Sequence, residues 1–537
     1  MFKRLTLCSL LLAATLPLSA QKSGTDNTIT LAVLSLNDFH GAFVQNPSLQ
    51  VPGAPSILQT VDSLKAAYPH HIIISAGDNF GGSYFYNMTH GQLLPVFFDA
   101  LGIRLSAVGN HEFDDGQEAL AAKWQGTPMR PAGWDLTYVC SNVYDAEGRV
   151  PAYMQPYVVD TLQITPSRSV QIGFLGLLAS SAKEQISARR IKGMTFSGAY
   201  THVIDSLRCT GGFEAYNNAD LRFLLMHIGA KMNGDKPQWF DKNEDELYKL
   251  NNSLYQGFIA GHSHDPVCGR INTSQKPVVQ GWWHGMYISM LRCQVDTATM
   301  RVVSIEPQLV PVPMRSRAEL TPRALRLQEQ IDSLLRVTTT AGGTPIGTQL
   351  TVCTADMPHD RTDKYRLSPV GTLVCESYAA AYREEENAEK DLPVIGVSHF
   401  GSIRAGFSKG PVSVLEVGEV LPFSNNLYAF KIDGKTFRQL VEFGFHNERY
   451  GWLQASNLET KRDADNHVLE MYYIQPSGRK TKIKDSTSLI IVADEYISNG
   501  GDGYSTDYFP KDKKQDVSMP AATDAFINYL KGKPQIP

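Results

Sequence analysis

Five times in its first half the chain runs through a short apolar stretch and breaks directly into a polar loop carrying Asp, Asn or His. Residues 29–36 lead into Asn37-Asp38-Phe39-His40, and 71–76 into Gly77-Asp78-Asn79. Residues 105–108 lead into Gly109-Asn110-His111-Glu112-Phe113-Asp114, 221–226 into His227-Ile228-Gly229, and 257–260 into Gly261-His262-Ser263-His264. Apolar runs of this length, bounded by turn residues, read as buried strands. Helix-like segments at 56–68 and 93–101 alternate with them, and 277–295 reads as two adjacent strands, so the fold class is α/β. In open α/β sheets, sites form outside the carboxyl ends of the strands. The five loops are therefore expected to converge although they are far apart in sequence.

Their side chains suit a cation. Asp38, His40, Asp78, Asn110, His227, His262 and His264 form a mixed set of carboxylates, an amide and imidazoles, and this favours borderline-to-hard divalent ions such as Zn²⁺, Mn²⁺ or Co²⁺ over a thiolate site. Seven ligands exceed one four-coordinate ion. They suit two ions about 3.5–4 Å apart that share a carboxylate, and Asp78, alone in its loop, is the expected bridge. His111 has a carboxylate, Asp114, three residues on, which is the pairing expected of a catalytic imidazole and its orienting group. His70, His71, His90, His284 and His446 lack such a context and are read as structural.

Residues 1–20 read as a secretory leader, with Lys3 and Arg4 ahead of an apolar run too short to span a bilayer. No transmembrane segment or lipid anchor is expected, and the protein is expected to be exported, periplasmic or secreted. The net charge of −4, with no basic block, gives no support for binding a nucleic-acid polymer. Six cysteines lie beyond residue 20 without a CxxC, and Cys268 with Cys293 is the favoured pair if disulfides form.

The 537 residues suggest more than one domain. Prolines at 307, 311 and 313 break regular structure. Thr321-Pro322 then reads as an N-cap with Pro at the first helical position, opening a helix whose apolar residues recur at helical spacing. This segment, 313–341, is taken as a linker helix and hinge between a domain at 25–312 and another at 342–537. In the second, Ser368 is a plausible N-cap, Lys364, Arg366 and Arg404 are anion contacts, and Phe423 and Tyr496 are loop aromatics. Asp502 sits in a glycine-rich turn. Two rings and a carboxylate suggest a nucleoside pocket, with the base stacked between Phe423 and Tyr496, ribose hydroxyls on Asp502 and phosphate on Arg404.

Taken in order, the five loops resemble the signature loops of the calcineurin-like metallophosphoesterases, and the chain beyond the expected leader resembles the secreted 5′-nucleotidase and UDP-sugar hydrolase family. The resemblance implies a β-sandwich metallophosphoesterase domain with flanking helices, a linker helix, and a C-terminal α/β nucleoside-binding domain. It implies one ion on Asp38, His40, Asp78 and His264, and another on Asp78, Asn110, His227 and His262. The implied catalytic residues are His111 and Asp114. The implied substrate is a small nucleotide, either a nucleoside 5′-monophosphate or, beyond that, a UDP-sugar or another nucleotide. A 2′,3′-cyclic-nucleotide phosphodiesterase uses the same loops, and a nucleotide-binding or adhesive surface protein with vestigial catalysis is the rival from another class. Members of this family rotate the second domain to carry nucleotide to the metals. Three positions depart from the pattern: His264 stands where some relatives have Gln, His399 where Asn is common, and Lys364 where Arg is common. The last two bear on phosphate and ribose contacts.

Overall fold

The computed structural model describes residues 28–537 apart from 126–134, 211–212, 251–252, 272, 362 and 424. The expected leader at 1–20 lies outside the described residues. Strand Thr28–Leu36 sits near the middle of a seven-stranded sheet, parallel to His70–Ser75 on one side and antiparallel to Tyr287–Asp296 on the other. Strand Leu221–His227 is central to a six-stranded sheet, parallel to both Arg168–Leu178 and Gly257–Ile259. Because side chains alternate along a strand, each sheet has two apolar faces to bury. Leu31, Val33, Ile74 and Ala107 of one sheet meet Ile172, Phe174, Phe223, Leu225 and Ile259 of the other in a single core between the sheets. On the opposite face of the first sheet, Leu34 and Leu36 join the core that contains Ile57 and Val61 of helix Gly53–Ala67. The result is a sandwich with flanking helices.

Two expectations are corrected here. Strands Pro277–Gly281 and Tyr287–Asp296 do not pair; they lie in different sheets. The connection between them holds Trp282, His284 and Gly285 at positive φ (66°, 51° and 72°), and that turn carries the chain from one layer to the other. Cys268 and Cys293 are both free, as are the other four described cysteines. Cys268 lies on strand Pro266–Arg270 of the six-stranded sheet and Cys293 is buried in the seven-stranded one, so the layers keep them apart.

Helix Pro322–Val337 starts as expected, with the Thr321 side chain accepting from Ala324 N–H. It packs along helix Gly53–Ala67, with Arg323 paired to Asp62. Beyond it, a four-stranded sheet runs in the order Leu427–Asp433, Ser488–Asp494, Val394–Ser398, Gln454–Ala455. Helix Pro369–Glu384, capped by Ser368, covers one face, where Val374 and Tyr378 share a core with Val394, Ile490 and Val492. Helix Gly434–Phe445 covers the other, where Phe437, Leu440 and Val441 meet Ile395, Val397 and Ile491. Alternate residues of the same strands thus serve two helices.

The second region is seated on the first through helix Val414–Val420. Gly418 lies directly against the Tyr84 ring, where a Cβ would collide with ring carbons. The neighbouring Glu419 accepts hydrogen bonds from the backbone N–H of Tyr84 (2.9 Å) and Phe85 (3.4 Å), the first turn of helix Tyr84–Thr89. This contact closes a cleft between the two regions.

Candidate metal centre and substrate cleft

Each of the five polar loops leaves its strand at the same end, and backbone hydrogen bonds lace the first two together: Asp38 N–H to Gly77 O and His40 N–H to Asp78 O, both 3.0 Å. Glu112 fixes the third. Its buried carboxylate accepts from the N–H groups of Asp78 (2.9 Å), Asn79 (2.7 Å) and Gly109 (2.6 Å). Gly109 is required there, because a Cβ would run into the Asp78 carboxylate. Burial and the Asp78 charge push the Glu112 carboxyl up to about 7, against those N–H donors.

The loops bring six of the seven sequence-derived ligands into two groups that share Asp78. Asp38, His40, Asp78 and His264 offer donor atoms all within 4.8 Å of one another, as do Asp78, His227 and His262. Asn110, the seventh, places its side-chain oxygen 3.1 Å from His262 Nδ1. His227 donates from Nδ1 to the carbonyl of Ala76 (2.8 Å), which turns Nε2 toward Asp78 Oδ2, 3.1 Å away. His264 Nε2 is 3.0 Å from His40 Nε2 and 3.4 Å from Asp38 Oδ1. Asp38, His40, Asp78, His262 and His264 all have positive φ, between 48° and 88°. Non-glycine residues avoid this region, and strain of this kind gathers at functional sites.

This donor set fits a divalent cation. His227 Nε2 is fully buried and faces Asp78 Oδ2 at 3.1 Å without good hydrogen-bond geometry, and poorly satisfied buried polar atoms are costly. The electrostatics agree. Burial pulls the His227 imidazole down, but the Asp78 and Asp38 carboxylates outweigh it and hold it up at about 10. Burial lowers His262 to about 4, helped by the charge of His227. The carboxylates thus attract positive charge to a cluster that is buried at Asp38, Asp78 and His227 and opens to the cleft at His264.

His111 stands at the wall of the cleft with Nδ1 2.7 Å from Asp114 Oδ2. Burial would lower this imidazole, yet Asp78 and the Asp114 hydrogen bond raise it to about 9. A cavity of about 630 Å³ opens here, lined by His40, His111, Asp114, His264 and, from the second region, Arg361, Arg404 and Phe423. Next to it lies a cavity of about 510 Å³, lined by His399, Tyr496 and Asp502 and again by Arg361, Arg404 and Phe423. Phe423 and Tyr496 are large aromatics left 48% and 45% exposed. Asp502 is held at φ 51° by His399 Nδ1 (2.6 Å) and the Tyr496 hydroxyl (3.0 Å). Burial raises its carboxyl, but those hydrogen bonds, the His399 charge and Arg404 bring it below the usual range.

Two expected contacts are placed differently. Lys364 lines the second cavity, but its ammonium donates to the carbonyls of Glu448 (2.7 Å) and Arg449 (2.8 Å), so two of its three N–H donors are engaged. Arg366 lines neither cavity and pairs at 3.6 Å with Asp363. Arg361, three residues before Lys364, lines both cavities instead. Three basic residues within 361–366 were the available signal, and spacing alone does not choose among them. Burial and the Arg361 charge lower Arg404 to about 9, partly offset by Asp502; two clustered guanidiniums repel each other until an anion joins them. His284, read as structural, is buried beside His40 at a ring distance of 5.8 Å and lines the first cavity.

Comparison with known proteins agrees with this architecture. Residues 345–507 match the family model described as the 5′-nucleotidase C-terminal domain. The chain is 23% identical over 530 residues to the endonuclease YhcR of Bacillus subtilis (94% of this chain, 40% of the relative). It is also 23% identical over 516 residues to the trifunctional nucleotide phosphoesterase YfkN of the same organism (89% and 32%). It thus spans less than half the length of either relative. The solved 5′-nucleotidase precursor from Thermus thermophilus superposes with a TM-score of 0.63 at 21% identity, covering 95% of this chain and 97% of that one. Residues 345–507 are thus similar to the 5′-nucleotidase C-terminal domain family, and the chain shares the two-domain fold of that 5′-nucleotidase precursor.

Proposed function

We propose that this chain is an exported, metal-dependent phosphohydrolase that removes the 5′-phosphate from nucleoside monophosphates. The observation that carries this reading is the sharing of Arg361, Arg404 and Phe423 between the cavity at the metal loops and the cavity at Tyr496 and Asp502. A molecule with an anion at one end and a flat ring at the other fits that arrangement. Asp38, His40, Asp78 and His264 would hold one divalent ion, and Asp78, Asn110, His227 and His262 a second. Such ions supply Lewis acidity, which lowers the pKa of water and polarises phosphoryl oxygens.

The chain's own groups do the rest. Arg361 and Arg404 bind the phosphate and relieve their mutual repulsion in doing so. His111, kept protonated by Asp78 and Asp114, donates from Nε2 to a phosphoryl oxygen and then protonates the departing ribose oxygen. Phe423 and Tyr496 stack the base, and Asp502, held by His399, accepts from ribose hydroxyls. The contact of Glu419 and Gly418 with Tyr84 holds the second region against the first, and the segment 338–343 is the hinge about which the second region turns.

A phosphate-release panel tests the reading. After chelation, Zn²⁺, Mn²⁺ or Co²⁺ should restore hydrolysis of AMP and UMP. Faster turnover of 2′,3′-cyclic AMP or of UDP-glucose would move the activity to that substrate, and no metal-dependent release from any nucleotide would overturn it.

A further inference from the structure

Away from the two cavities of the cleft, Glu442, His446 and His467 form a cluster of metal-competent side chains that lines neither of them. Glu442 and His446 stand four residues apart at the end of helix Gly434–Phe445, and so share one face. His467 reaches them from the turn between strands Leu458–Arg462 and Val468–Ile474. One donor atom from each lies within 4.8 Å of the others. Glu442 Oε1 is 2.5 Å from His467 Nδ1 and 3.9 Å from His446 Nδ1.

The site is held in shape. Glu442 Oε2 accepts from Val468 N–H at 2.8 Å. Asp463 Oδ1 accepts from the N–H groups of Asp465 and His467, both 2.9 Å, which fixes the turn that presents His467. His446 Nδ1 lies 2.8 Å from the Glu442 carbonyl and Nε2 lies 3.0 Å from the Asp465 carbonyl. With the Nε2 proton donated to the Asp465 carbonyl, as a ligating imidazole commonly does with its second nitrogen, Nδ1 is the nitrogen left for an ion, 3.9 Å from Glu442 Oε1 and beside the Glu442 carbonyl, which offers a further oxygen. The helix ends here with its carbonyls outward, Asp463 and Asp465 flank the turn, and Arg438, the cation lining the same hollow, is engaged by Asp485 (3.3 Å) and the Val468 carbonyl (3.1 Å).

We propose that Glu442, His446 and His467 bind a third divalent transition-metal ion, of the Zn²⁺ class, outside the catalytic cleft. One carboxylate and two imidazoles, open to solvent on one side, match three protein ligands with an exchangeable position. A cation here would replace the proton shared between Glu442 and His467. It would also tie down the helix end behind the second cavity, since Asn447 donates to the Asp502 carbonyl (3.0 Å) and Phe443 packs on Tyr504 (5.0 Å).

The test counts ions. The full chain and its His446→Gln/His467→Gln double variant are dialysed against the same buffered free Zn²⁺, and bound zinc is measured per chain. The double variant should hold one equivalent less than the parent, and Glu442→Gln, which keeps the contact to Val468, should show the same loss at low micromolar zinc. The difference is read between chains with identical catalytic loops, so it stays readable whatever those loops hold. Circular dichroism checks that each variant is folded; His467→Gln alone, on an exposed turn, replaces the double variant if it is not. Equal zinc in parent and folded variants would overturn the proposal.

Discussion

Around Asp78 nearly every polar atom is committed. Its backbone N–H is on Glu112, one carboxylate oxygen accepts from His111 N–H at 2.9 Å, and the other faces His227. Around Phe423 and Tyr496 the reverse holds: both rings are about half exposed, and the cavity they line is open to water. The first half of the cleft must hold charged groups at fixed positions before substrate arrives, because stabilisation of developing charge depends on prepaid orientation. Its left-handed backbone positions reflect that demand. On the proposed function the second half recognises a flat ring by contact, for which exposed aromatic faces suffice. A lesion in the first half should therefore damage chemistry on every substrate. One in the second should damage only substrates that own a base.

The largest effect is expected from His111→Ala. The ring contributes to the cavity wall and not to either ligand group, so turnover should fall by about 10²–10³, the usual loss for one such donor. The fall should be equal for AMP and for p-nitrophenyl phosphate, with metal content unchanged. A variant that lost its metal would assign His111 to the metal shell and blur the contrast.

Phe423→Ala and Tyr496→Ala come next. Removing a stacking ring costs about 1–3 kcal/mol of binding, roughly five- to 150-fold in kcat/KM for AMP and UMP. p-Nitrophenyl phosphate should be hydrolysed at nearly the parental rate. Equal losses on all three substrates would mean that the two halves of the cleft are not separable.

Sequence and structure agree best where the chemistry is contiguous. The convergence of the five polar loops was legible because each group of Asp, Asn and His follows an apolar strand directly. The caps at Thr321 and Ser368 were legible for a similar reason, since capping is decided within four residues. What stayed hidden depends on distant partners. Glu112 is within the third motif, but its role rests on N–H groups at 78 and 79, which only the folded sheet brings near. Lys364 is as basic as Arg361; what separates them is a pair of carbonyls 84 and 85 residues away. His446 has no sequence context, and only the turn at 463–467 gives it a second imidazole as neighbour.

The smallest effect expected is on the contact that joins the halves. Glu419 lines the rim of the cleft and accepts from Tyr84 and Phe85 N–H; Asp524 is the other carboxylate near Tyr84. Burial raises its carboxyl from the ordinary 4.5 to about 7, although the two N–H donors pull the other way. When the cleft opens, water reaches the group and its pKa falls back toward 4.5. The closed form therefore binds the proton more tightly, so closure is favoured fully below about 4.5, weakens as pH rises toward 7, and levels off above it. Because the group sits at a rim, water already relieves part of the burial, and the change should be no more than about tenfold in the closed-to-open ratio, 1.4 kcal/mol. Fluorescent labels across the cleft, on either side of Glu419 and away from it, would follow the distance between pH 4.5 and 7.5. Glu419→Gln keeps an oxygen for Tyr84 N–H but cannot ionise, so its distance should be flat over that range. The same slope in the Gln variant would place the pH response elsewhere and leave Glu419 as a hydrogen-bond acceptor alone.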